Sequence, residues 1–245
     1  MQVGFIGSGN MAGALARGWG DPILATDGGS GRARALVGEL GGEVVGSNRE
    51  LAERAELLIL AHKPAQLEEV AKEAGDAARG VVVSIVAGAG VADVGALYPH
   101  ATVFRVLPNL PVALRQGVLL FALSDDLRAA AVKELFARVG TVVEIPEKLM
   151  RVGNSISGVG PAYWALLAEA WTDSAIRHGM PAAQAATLVR ETMAGTAALL
   201  NQTDTLTLRR GVTSPGGSTA RGLNALEQGG VRAALADAMD AVVGA

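Results

Sequence analysis

A run of hydroxyl side chains around two adjacent glycines, Val212-Thr213-Ser214-Pro215-Gly216-Gly217-Ser218-Thr219, carries the most pointed chemistry in this chain. Paired glycines let the backbone turn sharply and present bare N–H groups. Thr213, Ser214 and Thr219 add hydroxyls around them, and Pro215 stiffens the entry. The apolar spacing that follows, Leu223 and Leu226, then Val231, Leu235 and Met239, is helical. The tract reads as a loop feeding a helix N-terminus, which suits a small anion such as a carboxylate. The alternative is a plain helix start with a Ser/Thr cap.

A second cluster stands near residue 1. A short apolar strand runs into Gly7-x-Gly9-x-x-Ala12, and a helical pattern follows. This is the dinucleotide fingerprint in its context of strand, tight turn and helix. Gly7 makes the turn, Gly9 lets a pyrophosphate approach the main chain, and Ala12 is small enough for close helix–strand packing. With 32 glycines in the chain a bare pattern carries little weight; its placement straight after a strand is what gives it force.

Twenty residues after Gly7, Asp27 stands where a carboxylate bonds the ribose 2′-hydroxyl of NAD and repels the 2′-phosphate of NADP. It also reads as a turn residue before Gly28-Gly29. Ser30, Arg32 and Arg34 have the chemistry to grip a 2′-phosphate, or to form a helix cap and a solvated basic face. The balance leans to NADPH and leaves NAD open. Lys63, just after a buried strand and before Pro64, reads as a contact to coenzyme phosphate or ribose, or as a surface lysine. His62 reads as a proton source or as a polar plug in the groove wall.

The elements that must position these residues fall into two patterns. Strands are expected at 3–6, 23–26, 43–45, 57–61, 81–86, 102–106, 117–122 and 141–145, with helices between most of them at 11–19, 32–39, 65–74 and 126–139. Short apolar strands alternating with helices make a mainly parallel sheet covered on both faces. From residue 148 helices alone are expected, at 161–178, 181–201, 219–227 and 231–243, with 153–160 as a flexible or tightly packed approach. The expected division is therefore 1–147, α/β, and 148–245, all-helical. Half of all residues are apolar and only 4% aromatic, which favours closely packed helices. A helical half so apolar is expected to bury a face against another subunit.

Composition excludes several classes. A net charge of −3 without long charged blocks points away from nucleic acid and anionic membranes. No apolar run reaches the length of a membrane span, and the opening residues are a strand rather than a signal peptide. With no cysteine there is no disulfide or thiol chemistry, which fits a cytoplasmic protein. His62, His100 and His178 are far apart, and no metal site is read.

Between the two clusters lie Ala61-His62-Lys63-Pro64, Ser84-Ile85-Val86-Ala87-Gly88, Arg105-Val106-Leu107-Pro108-Asn109-Leu110-Pro111 and Gly158-Val159-Gly160-Pro161-Ala162-Tyr163. This ordered set, over nearly the whole chain, resembles the pyrroline-5-carboxylate reductase family; the Val-Thr-Ser-Pro-Gly-Gly-x-Thr tract is that family's signature. The resemblance implies an N-terminal Rossmann domain and a C-terminal helical dimerisation domain. It implies NAD(P)H-dependent reduction of 1-pyrroline-5-carboxylate to proline, in a dimer or a pentamer of dimers. By position, Ser8, Asn10 and Met11 would touch pyrophosphate and ribose, and Asn48, Ala61, Lys63, Pro64 and Ala87 would line the rest of the coenzyme groove. Asn109 and Pro111 would lie near the nicotinamide. Ser214, Gly216, Gly217, Ser218 and Thr219 would hold the substrate. The chain departs from the common pattern at His62, Leu107 and Val159, and residues 201–210 lack the usual His-Pro pair.

The chemistry suits these residues. Reducing a ketone creates an alkoxide and calls for a proton donor, yet no lysine follows Lys148. A cyclic imine is protonated before or during binding, so the enzyme mainly aligns hydride donor and ring carbon and fixes the carboxylate. Thr219 is the candidate for a hydrogen bond to the ring nitrogen, against an ordinary role as a helix cap. Two rivals stand beside this reading: another Rossmann imine or β-hydroxyacid reductase, the latter needing a lysine that residues 149–200 do not offer, and a non-catalytic NAD(P)-binding regulator.

Overall fold

In the short apolar strands, alternate side chains point to opposite faces, and here both sets are buried. Phe5, Leu57, Ile59, Val83 and Phe104 join one core cluster, while Ile6, Leu24, Leu58, Leu60 and Val82 join another. A sheet apolar on both faces needs helices on both. The computed structural model, which describes residues 1–244, has that arrangement. In order along the chain come β1 (Val3–Ile6), α1 (Asn10–Trp19), β2 (Ile23–Thr26), α2 (Arg32–Leu40), β3 (Gly42–Val44), α3 (Asn48–Arg54), β4 (Leu57–Leu60), α4 (Leu67–Ala74), β5 (Val81–Ser84), α5 (Val91–Leu97), β6 (Thr102–Pro108), β7 (Gly117–Ala122), α6 (Ala129–Ala137), β8 (Gly140–Ile145) and α7 (Met150–Ser157).

Among the described residues the sheet has eight strands in the order β3-β2-β1-β4-β5-β6-β7-β8. Every neighbouring pair is parallel except β6 and β7. The segment between those two holds only a 3-10 turn, Leu110–Leu114. That is too short for a parallel crossover, so the chain reverses. The strand order changes direction between β1 and β4, which opens a crevice beyond their C-terminal ends.

Several expected boundaries shift. The helix expected at 65–74 is a 3-10 turn, Pro64–Gln66, followed by α4, and the one expected at 126–139 narrows to α6. Helices α3 and α5 occupy segments that the hydrophobic spacing leaves unassigned. For α3 the signal was present in Ser47-x-x-Glu50: the Glu50 N–H donates to Ser47 Oγ at 3.1 Å. The approach expected at 153–160 is instead mostly helix α7. Met150 is fully buried there with Leu107, Leu120 and Ala122, so α7 belongs by packing to the sheet.

Packing divides the chain between Val159 and Gly160. The second unit contains α8 (Gly160–Arg177), α9 (Ala182–Leu200), α10 (Thr205–Gly211), α11 (Ser218–Gln228) and α12 (Val231–Val243). Helix α10, also unassigned by periodicity, is capped by Asp204, which accepts from the Leu206 and Thr207 N–H groups at 2.9 and 3.0 Å. Large apolar side chains stay open on this unit; Trp164 and Trp171 of α8 are 62% and 58% exposed. No helix among the described residues is long and apolar enough to cross a membrane.

Glycine has a steric role at the seam between α1 and the 3-10 turn. A Cβ on Gly18 would overlap the Val112 carbonyl oxygen, whereas a Cβ on Gly38, on the open side of α2, would meet nothing. Gly18→Ala should lower unfolding stability by about 1–3 kcal/mol. Gly38→Ala should raise it by roughly 0.5–1 kcal/mol. Urea denaturation of both variants beside the parent checks the pair.

Candidate functional site

The crevice is built from backbone first. Gly7 has φ +95°, a conformation that side chains resist, and a Cβ there would lie 2.9 Å from the carbonyl carbon and oxygen of Ala61. Its N–H donates to the Thr26 carbonyl oxygen at 3.1 Å, tying the β1 end to β2. Ser8 is buried, and its hydroxyl donates to the same carbonyl at 3.1 Å. Gly9 is the N-cap of α1 in extended backbone, with no capping side chain and nothing within 4 Å of where a Cβ would sit. The first N–H groups of α1 are therefore left to whatever enters, the arrangement that receives a phosphate.

A groove of about 880 Å³ opens over this turn. Of the residues expected to bind coenzyme, Gly7, Ser8, Gly9, Asp27, Ser30, Arg32, Asn48, Ala61 and Lys63 line it. Pro64 and Ala87 line a separate depression of about 590 Å³, which also touches Gly88 and Asp93. Asn10 and Met11 open α1 beside Gly9 and stand on neither lining.

Asp27 is occupied within its own loop. It accepts from the N–H groups of Gly29 at 2.8 Å and Ala33 at 2.7 Å, and from the Ser30 hydroxyl at 3.1 Å. The Ala33 N–H foremost holds its carboxyl below the usual range. The turn reading of Asp27 thus has direct geometric support, and Ser30 serves the same turn. Arg32 is exposed and makes no ion pair among the described residues. His62 turns its Nδ1 toward the Lys63 carbonyl at 3.0 Å, while its Nε2 is buried with no partner among the described residues. Burial pushes its pKa down, favouring the neutral ring. This geometry favours the plug reading of His62 over that of a proton source.

Asn109 is buried and spent inside the sheet unit. Its Nδ2 donates to the Ser157 carbonyl at 3.0 Å, and its Oδ1 accepts from the Val118 N–H at 2.8 Å. It pins the end of β6 to β7 and α7, while Pro111 lies in the adjoining 3-10 turn.

On the helical unit, the hydroxyl-rich tract does feed a helix. Gly216 has φ +69°, and Gly217 is the N-cap of α11 with no side chain capping it. Ser218 and Thr219 begin the helix, so their N–H groups have no intrahelical partner. Thr219 caps nothing, which removes the capping alternative for it. The Thr213 hydroxyl is taken by the Arg209 carbonyl at 2.6 Å, so the exposed hydroxyls of Ser214, Ser218 and Thr219 front the loop. The sequence reading missed Arg221. Its guanidinium donates to the Gly216 carbonyl at 2.9 Å and to Ser218 Oγ at 3.2 Å, bracing the loop and adding positive charge to it. Its place three residues after Ser218, one helical turn on, was the available signal. No cluster of potential metal ligands occurs among the described residues.

Comparison with known proteins shows what the whole chain is similar to. Residues 147–245 match the family described as "Pyrroline-5-carboxylate reductase dimerisation", and residues 2–88 match "NADP oxidoreductase coenzyme F420-dependent". A pyrroline-5-carboxylate reductase of Synechocystis is 36% identical over 98% of this chain and 95% of its own length. Pyrroline-5-carboxylate reductase 3 of Mus musculus is 35% identical over 98% and 93%. The solved 1-pyrroline-5-carboxylate reductase of Streptococcus pyogenes superposes with a TM-score of 0.88 at 25% identity, covering 99% of this chain and 96% of the other.

The two fingerprint glycines should separate on substitution. Gly9→Ala should leave the thermal midpoint within about 2 °C and weaken dinucleotide binding about tenfold or more, since its methyl enters open groove. Gly7→Ala should lower both stability and binding, because the strained turn and the Ala61 backbone obstruct it. Thermal melts with and without NADPH distinguish the two.

Proposed function

The chain belongs to the pyrroline-5-carboxylate reductase family, and on that premise we propose that it reduces 1-pyrroline-5-carboxylate to L-proline with NAD(P)H, the last step of proline biosynthesis. The observation that carries this reading is the uncapped, hydroxyl-fronted loop at Ser214–Thr219, in a chain that also has the Gly7–Gly9 turn. We assign residues 1–147 to coenzyme binding and 148–245 to dimerisation and substrate binding, near the bounds of the matched dimerisation family at 147–245, with α7 packing on the sheet unit.

Bound NAD(P)H supplies the hydride. The free N–H groups after Gly9 receive the coenzyme pyrophosphate, and Asn48, Ala61 and Lys63 line the groove beside it. NADPH is the favoured coenzyme, supported by the NADP oxidoreductase family matched at residues 2–88 and by Arg32, a groove residue without an ion pair among the described residues. The N–H groups of Ser218 and Thr219, with the Ser214 hydroxyl, hold the substrate carboxylate, and Arg221 adds positive charge from behind. Thr219 Oγ1 bonds the ring nitrogen and orients the imine carbon. No lysine is needed as acid, because the imine is already protonated when hydride arrives.

The protein works as a homo-oligomer, a dimer and in its larger form a pentamer of dimers. The support is the dimerisation family matched at 147–245 and the open apolar stripe Trp164, Leu167 and Trp171 on one face of α8. A cytoplasmic location belongs to the same reading, supported by the cysteine-free sequence.

The decisive assay follows coenzyme absorbance with 1-pyrroline-5-carboxylate, beside a linear 2-keto acid, using both NADPH and NADH. Activity on the keto acid alone, or on neither compound, rejects the proposal. Thr219→Ala should cut kcat about ten- to hundredfold while moving the NADPH dissociation constant less than about threefold. Equal losses in both would remove Thr219 from the chemistry. Trp171→Glu should weaken subunit association at least about tenfold by sedimentation, because a charge then enters the apolar stripe.

A further inference from the structure

The carboxylate that the spacing nominates at the ribose 2′-position, Asp27, already accepts three donors from its own loop. A second carboxylate reaches the same end of β2 from a different direction. Thr26, the last residue of β2, donates its hydroxyl to Asn48 Oδ1 at 2.7 Å. Asn48 Nδ2 in turn donates to Glu73 Oε2 at 2.8 Å. A carboxylate only accepts, so Glu73 fixes which way the Asn48 amide faces. Asn48 and Glu73 both line the groove with Asp27, Ser30 and Arg32. Glu73 is exposed, makes no ion pair among the described residues, and keeps its second oxygen open.

The charges around this end of the groove oppose one another. Arg49 is drawn off to Glu53 at 3.2 Å. Arg32 and Lys72 are exposed groove residues without ion pairs among the described residues, and Glu69 adds a further negative charge. In a fold of this type the end of β2 meets the coenzyme ribose. Resting on the dinucleotide reading above, we propose that Glu73, held through Asn48, is the residue that discriminates at the 2′-position, favouring a 2′-hydroxyl and disfavouring a 2′-phosphate. Asp27 shapes the loop, Arg32 pulls toward the phosphate, and Glu73 pushes against it. Coenzyme preference is the balance of the last two.

Glu73→Gln isolates the charge, because a glutamine oxygen still accepts from Asn48. The test is calorimetric binding of 2′,5′-ADP and of 5′-AMP to the full-length parent, to Glu73→Gln and to Asp27→Asn. For Glu73→Gln the affinity for 2′,5′-ADP should rise about five- to tenfold, with 5′-AMP changed less than about twofold. The gain should shrink as salt is raised, as screening of an exposed charge requires. Asp27→Asn should give no such selective gain and should lower the thermal midpoint, having weakened the acceptor of the α2 start. A Glu73→Gln ratio within about twofold of the parent, or a selective gain from Asp27→Asn instead, overturns the proposal. A parent that binds neither nucleotide nor NADPH overturns the dinucleotide reading, and this assignment with it.

Discussion

The structure depends on one close approach, the passage of the β1–α1 turn over the end of β4. At Gly7 the backbone takes a left-handed turn with no room for a side chain against Ala61. That contact brings the start of α1 to the crevice, where its unbonded amides face outward. The strand order reverses at the same point, so the crevice is a product of topology and the turn is what makes it polar. Residues far apart in sequence, Thr26, Asn48, Ala61 and Glu73, meet there because the parallel strands all end on that side.

Both regions proposed for binding offer main-chain donors at a helix start. Gly9 precedes one helix and Gly217 the other, and neither is capped by a side chain. A capped helix start would have spent those amides internally. Using backbone groups suits a reaction in which substrate and coenzyme are both anions and the reacting imine brings its own positive charge. The lysine-free stretch after Lys148 is then no deficiency.

The strands were legible because short apolar runs bounded by turn residues are strong local signals when a sheet is buried on both faces, and the helix starts after Gly9 and Gly217 were legible from their glycines. Short helices such as α3 and α10 were not, since seven residues are too few to show an amphipathic period and their starts are set by a cap. The antiparallel turn of β7 follows from the length of its connection, which could have been read. What local reading could not supply is partnership across distance. Asp27 proves to serve its own loop, Asn109 proves to be a pin between β6, β7 and α7, and Glu73 enters the groove from a helix with no motif of its own. For Asn109 and Glu73 the outcome is decided by a hydrogen bond to a segment that spacing alone does not bring near, whereas the bonds of Asp27 lie within its own turn, one of the two readings its sequence position allowed.

Arg221 has a consequence for recognition. Its two bonds act as a strut across the glycine turn, so the loop is braced from within its own helix. The conformational entropy of arranging those amides is lost during folding and not again on encounter. On the proposed assignment of this loop to the substrate carboxylate, a small, rigid ring is captured without a coupled folding step, and longer, floppier acids meet a receptor that does not adapt to them.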